Sequence, residues 1–320
     1  MNLHSKIDAF QNAIQVVSKN TNILPGFIEK DYWISLVLKR LSESKYLDSV
    51  VFKGGTSLSK GHKIIKRFSE DIDVAVIITP DTSGNQIKSL IRTVEKEIAS
   101  DLSEIKIEGV TSKGSRFRKA VYQYPVSLKQ NQKVAISNSI IVELNSFTNP
   151  FPYSKLSIQS MIGEYLQSYN QNELIQKYGL EAYQVNVLNK EQTLIEKLVS
   201  LIRFSFDNNP IESISGKIRR FYDLYYLLQD ETCMNYVNSD ELKTQFCKVL
   251  AHDQQQFDEP MGWNAKKIQE SPLIYDFDAM WNKLKTIYTT ELTMLAYSEI
   301  PKEKEVAESF KKLISILAAI

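Results

Sequence analysis

The sequence predicts an α+β protein in two parts: a sheet-containing N-terminal domain over residues 1–150 and a mainly helical C-terminal domain over residues 151–320. Three observations carry that expectation. Strand-like runs gather ahead of Pro150 and Pro152 and become rare after them, and helical periodicity fills the second half. A length of 320 residues also exceeds the roughly 100–200 of one typical domain.

In chain order, residues 3–17 carry apolar side chains at helical spacing, and a second such pattern runs through Phe27, Trp33, Leu36, Val37, Leu38 and Leu41. Val50, Val51 and Phe52 form a short apolar run stopped by Gly54-Gly55, and residues 72–78 have strand character closed by Pro80. Residues 87–102 have a helical period, whereas 105–110, 120–126 and 139–146 read as sheet partners. Beyond Pro152, residues 157–169, 191–206, 216–229, 241–251, 277–297 and 302–320 read as helices, with a strand at 183–188. Val306, Phe310, Leu313, Leu317 and Ile320 make one stripe, expected to face a core. No internal repeat or low-complexity tract interrupts this order.

Composition narrows the function classes. Hydrophobic residues at 43% and charged residues at 24% suit a globular fold and exclude a disordered or collagenous chain. Lys and Arg total 39 against 38 Asp and Glu, so any polyanion site must be a local patch. Cys233, Cys247 and three scattered histidines offer neither zinc spacing nor a Cys/His nucleophile pair. The mixed, amphipathic N-terminus lacks an apolar leader, so a cytoplasmic location is expected. Apolar runs fall short of the roughly 18 residues a membrane span needs, so no membrane partner is expected.

The chemically informative stretch is Phe52-Lys53-Gly54-Gly55-Thr56-Ser57-Leu58-Ser59-Lys60, followed by Arg67-Phe68-Ser69-Glu70-Asp71-Ile72-Asp73-Val74. Adjacent glycines after a strand let the backbone approach a phosphate, and the amides that open the next helix can face its oxygens. This is no Walker A loop, since Ser59 precedes Lys60 and Gly61 follows it, and no GxGxxG fingerprint is present. Strand alternation sends Asp71 and Asp73 to one face, with Ile72 and Val74 opposite. Two carboxylates so close suit a hard divalent cation such as Mg2+, whose other ligands are water and phosphate oxygens. A bare D-x-D is a weak motif that needs context. Glu143, opposite Val142 and Leu144 on its own strand, supplies it as a third candidate ligand; the bland alternative is a strand-edge charge.

Gly54-Gly55-Thr56 with Ser69-Glu70-Asp71-Ile72-Asp73 resembles the nucleotidyltransferase core of the DNA polymerase β type, and more closely the AbiEii/AbiGii toxin nucleotidyltransferases, MenT-type toxins among them. Further blocks in the family's order are Ile28-Glu29-Lys30-Asp31-Tyr32-Trp33, Glu196-Lys197-Leu198 and Arg219-Arg220-Phe221-Tyr222-Asp223-Leu224. The resemblance implies a polymerase β-like domain with a mixed sheet, a helical domain completing an active cleft, and transfer of NMP from an NTP with Mg2+ or Mn2+. It makes Asp71 and Asp73 metal ligands and Lys197 and Asp223 additional essential residues; Glu143 remains a third candidate ligand from its strand position alone.

Lys197 would present a point charge to the triphosphate. Asp223, on an apolar helix, needs a partner: Lys197, a nucleotide hydroxyl, or Arg219 or Arg220. Gly54, Gly55, Thr56 and Ser69 are the phosphate-binding candidates, and Lys60 stands in for the arginine that many members carry after Gly-Gly-Thr. Where many members have Lys-Asp before the final aspartate, this chain has Arg219-Arg220, so that earlier acid has no counterpart here. The Glu29-Lys30-Asp31 block is read as a brace.

For the acceptor, Lys53, Lys60, Lys63, Lys66 and Arg67 form one basic group, and Lys113, Arg116, Arg118 and Lys119 form another with Phe117 and Tyr122. Such groups suit an unpaired nucleic acid strand or are ordinary solvated edges. The resemblance favours RNA, because related toxins add nucleotides to tRNA 3' ends, and it implies a cognate antitoxin. The competing readings are a small-molecule nucleotidyltransferase of the antibiotic-modifying sort and a non-catalytic binding protein on the same fold.

Overall fold

The computed structural model describes residues 2–127 and 136–318. The chain folds into two compact units, Met1–His62 with Phe68–Leu188, and Lys63–Arg67 with Asn189–Ile320. The sequence places a boundary near residue 150, whereas the boundary falls at Leu188–Asn189 because two further strands, after the prolines, belong to the sheet.

The first unit is built on a mixed sheet of β1 (Val50–Lys53), β2 (Asp71–Val76), β3 (Ser103–Ile105), β4 (Ser112–Lys113), β5 (Phe117–Gln123), β6 (Ser139–Asn145), β7 (Tyr153–Ile158) and β8 (Tyr183–Leu188). The order is β3-β5-β6-β2-β1-β8-β7, with β4 on β5. β2 lies antiparallel to β1 and parallel to β6, so the strand carrying the two aspartates is central. Its helices are α1 (Ile7–Thr21), α2 (Pro25–Glu43), α3 (Gly54–Lys60), α4 (Gly84–Ile98), α5 (Met161–Ser168) and α6 (Asn172–Tyr178).

Pro25 at the first position of α2 fits where its missing amide is no loss, and Ile28, Val37 and Leu38 are fully buried along the helix. α4 opens with a capping box, the Ser83 hydroxyl accepting from the Gln86 amide and the Gln86 side chain accepting from the Ser83 amide. Ile87, Ile91, Val94 and Ile98 then bury one face at helical spacing. Two expectations change. Residues 157–169 divide into the end of β7 and the helix α5, started by the Ser160 cap. Of 105–110, only Ile105 is in a strand, and the chain turns through Gly109 at φ 75°.

The second unit is helical: α7 (Lys190–Ser205), α8 (Pro210–Ser215), α9 (Arg219–Gln229), α10 (Glu231–Val237), α11 (Asp240–Gln256), α12 (Pro272–Tyr275), α13 (Phe277–Leu295) and α14 (Glu303–Leu317). α7 is its central helix, with Leu194, Ile195, Leu198, Val199, Leu201 and Ile202 all fully buried. Phe221, Phe277, Trp281 and Phe310 cluster, with Phe277 stacked on Trp281 and the other pairs tilted or edge-on. Val306, Phe310, Leu313 and Leu317 of α14 are buried as the stripe predicts; Ile320 lies outside the described residues. Residues 63–67 join this unit, with the Lys66 carbonyl accepting from the Tyr297 amide at 3.0 Å and Arg67 bridging to Ala296. Cys233 is buried and Cys247 exposed, both as free thiols. Among the described residues no helix is long and apolar enough to cross a membrane.

Candidate active site

In the first unit the sheet register assembles a charged row across four strands. Lys53 of β1 pairs with Asp73 of β2, Asp73 with Glu143 of β6, and Glu143 with Lys119 of β5. Lysine, aspartate, glutamate and lysine therefore stand side by side, and Lys119 Nζ lies 3.5 Å from Glu143 Oε2. Asp71, two residues before Asp73, shares its face: both are half-buried while Ile72 and Val74 are fully buried. Glu143 alternates in the same way with Val142 and Leu144.

The acids repel one another. Burial, the Glu143 charge and the Asp71 charge push the Asp73 carboxyl up to about 7, against the opposing pull of Lys53 and Lys119. Burial also raises Glu143; Lys119 opposes this and Asp71 adds to it. A divalent cation would relieve this strain, which is how the residues fit one. Among the described residues, however, no three His, Cys, Asp or Glu side chains are gathered tightly enough to hold an ion. The fit therefore rests on Asp71 and Asp73 as the protein's ligands, with water and triphosphate oxygens filling the shell and Glu143 adding charge beside them.

The glycine turn sits against this face. Gly54 has φ +80°, and a Cβ there would collide with Asp73 Oδ2. The glycine is thus required by a left-handed backbone and by the aspartate beside it. Thr56 is buried, and its hydroxyl donates to the Asp71 carbonyl, tying α3 to the first acid. Ser57 donates to the Gly54 carbonyl at 2.9 Å, while Gly55 is buried and Ser69 half-buried.

Lys60 stands differently from its expected contact with phosphate: its ammonium pairs with Asp31, both side chains being under 10% exposed. Asp31 also accepts from the Met161 amide at 2.7 Å. In the same tripeptide, Glu29 accepts from the Ser127 amide at 2.6 Å and Lys30 Nζ lies 3.1 Å from Glu70 Oε1. Burial draws the Lys30 pKa down, against the charges of Glu70 and Asp71.

In the second unit, Lys197 and Asp223 meet as the sequence allows, Nζ to Oδ2 at 2.7 Å. A further partner is Arg67: its Nε and Nη2 take Oδ1 and Oδ2, each at 2.7 Å. Burial alone would raise the Asp223 pKa, but Arg67 and Lys197 outweigh it and hold the carboxyl well below the usual range. Burial lowers the Lys197 pKa against the pull of Asp223, and Arg67 and Arg220 lower it further. Two cations thus hold one buried anion.

Sequence reasoning placed Arg67 in a basic group suited to a nucleic acid strand or a solvated edge and missed its bond to Asp223. The second basic group also changes character. Arg118 is buried on Glu95 and Tyr122 donates to Glu95 at 2.7 Å, so these two side chains are bound within the fold; Lys113 pairs with Glu104 at the surface, and Arg116 is exposed.

A Gly-Gly turn opening a helix between antiparallel strands, the second bearing Asp-x-Asp and lying parallel to a third acid's strand, defines a nucleotidyltransferase of the polymerase β class. The family model described as nucleotidyl transferase AbiEii toxin, Type IV TA system, matches residues 36–307, and the chain belongs to that family. It is a nucleotidyltransferase toxin of a type IV toxin–antitoxin system, a class that uses an NTP and a divalent metal and implies an antitoxin. Among solved structures, MenT4, a nucleotidyltransferase toxin from Mycobacterium tuberculosis, shares the fold at TM-score 0.52 and 13% identity over 96% of this chain and 90% of that one. An antigenic nucleotidyltransferase-like protein from Paracoccidioides brasiliensis matches at TM-score 0.31 and 15% identity, covering 76% of this chain and 95% of that one. No curated protein matches the sequence.

Proposed function

We propose that the protein transfers NMP from an NTP to an RNA acceptor, the 3' end of a tRNA, in a reaction dependent on Mg2+ or Mn2+. The observation that carries the reading is the Lys53–Asp73–Glu143–Lys119 row with Asp71 on the same face. Asp71 and Asp73, with Glu143 beside them, would hold the ion, which would lower the pKa of the attacking hydroxyl and neutralise charge on the triphosphate.

The residues around them position the reactants. The Gly54-Gly55 turn lets a phosphate approach the backbone, with Thr56 and Ser69 beside it. Lys197 gives its charge to the triphosphate, and Asp223 holds Lys197. Lys60, paired with Asp31, holds α3 in place and reaches phosphate only by leaving that partner. The acceptor oxygen bonds to the α-phosphorus as the bond to pyrophosphate breaks, so the chemistry needs no covalent enzyme intermediate. Choice of RNA rests on the resemblance to toxins that modify tRNA, since much of the basic surface expected to hold it is engaged by acids.

The test is incubation with Mg2+, each labelled NTP in turn and total tRNA, with Asp71→Ala as the control. Labelled tRNA that disappears in the variant supports the reading. Label on a small-molecule acceptor instead, or transfer by Asp71→Ala at the wild-type rate, sinks it.

A further inference from the structure

Helix α2 grips the chain leading into β2 at two points. Phe27 and Lys30 are three residues apart and so share a face of α2. The Phe27 ring stacks on Phe68 with centroids 3.9 Å apart and planes 6° from parallel, and the Lys30 ammonium pairs with Glu70 at 3.1 Å. Phe68 and Glu70 are two residues apart on the run that becomes β2 at Asp71, so one side of that run is held against the helix.

Lys30 has 0% exposure, and among the described residues its ammonium has the Glu70 ion pair but no hydrogen bond of good angle. A fully buried cation with one carboxylate partner is costly for a fold to keep unless it fixes something in place. What it fixes is visible in the same residue's backbone: the Glu70 carbonyl accepts from the Ile141 amide at 3.3 Å, ahead of the Asp71–Ile141 pair that begins the β2–β6 ladder. A slip of one residue there would turn Asp71 and Asp73 to the opposite face.

We propose that Lys30 is a positioning residue for the carboxylate face, acting through Glu70 to fix where β2 starts to pair with β6. The inference rests on the metal reading above, and its test separates the two. Binding of Mn2+ to the full chain without NTP is measured by titration calorimetry for wild type, Lys30→Met and Glu70→Ala.

Charge alone predicts that Lys30→Met tightens cation binding, because a positive charge beside Asp71 is removed. Positioning predicts the opposite, a loss of about 10- to 100-fold as for other outer partners of metal ligands. Unchanged or tighter binding by Lys30→Met overturns the proposal. If that variant does not fold, Glu70→Ala decides, since its side chain is 36% exposed and its backbone carbonyl remains. Faster exchange of the Ile141 amide in Glu70→Ala is expected, a change that altered charge would not produce. Wild-type exchange at Ile141 overturns the positioning role. A wild-type chain that binds no Mn2+ sinks the metal reading itself, and the positioning role with it.

Discussion

Arg67 holds Asp223 by both carboxylate oxygens, Nε on Oδ1 and Nη2 on Oδ2, and Lys197 shares Oδ2, all at 2.7 Å. Asp223 has no exposed surface, so its charge is balanced by these two cations and not by water. The same arrangement that holds Lys197 in place makes the helical unit sensitive to acid.

Asp223→Asn removes the anion and leaves two buried cations facing each other, which is expected to cost about 3–5 kcal/mol at pH 7. The Asp223 pKa is depressed in the folded protein. Its stabilisation is therefore complete above the ordinary carboxyl value near 4 and is lost as pH falls through the lower folded value. Urea unfolding of wild type and variant should show the gap narrowing from about pH 5 toward about pH 2. A gap of constant size over that range contradicts the assignment.

Gly54→Ala strains a backbone at φ +80° and places a methyl against the Asp73 carboxylate. The left-handed conformation alone costs roughly 1–2 kcal/mol, and displacement of Asp73 should cut nucleotide transfer further than the stability loss explains. Gly84→Ala is the control, because a Cβ there meets nothing within 4 Å. Melting temperature and transfer rate measured together distinguish the two; equal behaviour of both variants refutes the reading of Gly54.

Glu95→Ala should destabilise the sheet unit by about 3–5 kcal/mol, since it leaves Arg118 unpaired next to the Tyr122 hydroxyl in the interior. Arg118→Ala is expected to lower the denaturation midpoint while leaving tRNA affinity within about twofold, a change worth only some 0.4 kcal/mol. Filter binding at fixed salt checks this. A tenfold loss of tRNA affinity by a variant of normal stability would return Arg118 to the nucleic acid surface.

The sheet face of the site was legible because strand alternation is local: Ile72 and Val74 inward imply Asp71 and Asp73 on the other side. The charged row was not, because it depends on which strands pair, and β2 finds β6 across an intervening helix and three strands. Arg67 stayed hidden for a related reason. Its partner is 156 residues away, and a basic residue following Lys63 and Lys66 carries no local sign of burial. The strand β7 was masked by its own composition: Ser154, Lys155 and Ser157 are exposed on a sheet edge, and the prolines just before it read as the end of the domain. The long helices of the second half, with apolar stripes set by a local period, were read closely, as at α13 and α14.

The excursion of residues 63–67 into the helical unit bears on any attempt to express the halves separately. A fragment cut after Leu188 keeps Arg67 but loses Asp223, while the complementary fragment keeps the Lys197–Asp223 pair but lacks the guanidinium that takes both carboxylate oxygens. Neither piece inherits the whole three-residue network. The gene is thus poorly suited to division at a single point, and a minimal helical fragment would have to carry a grafted copy of the five-residue segment.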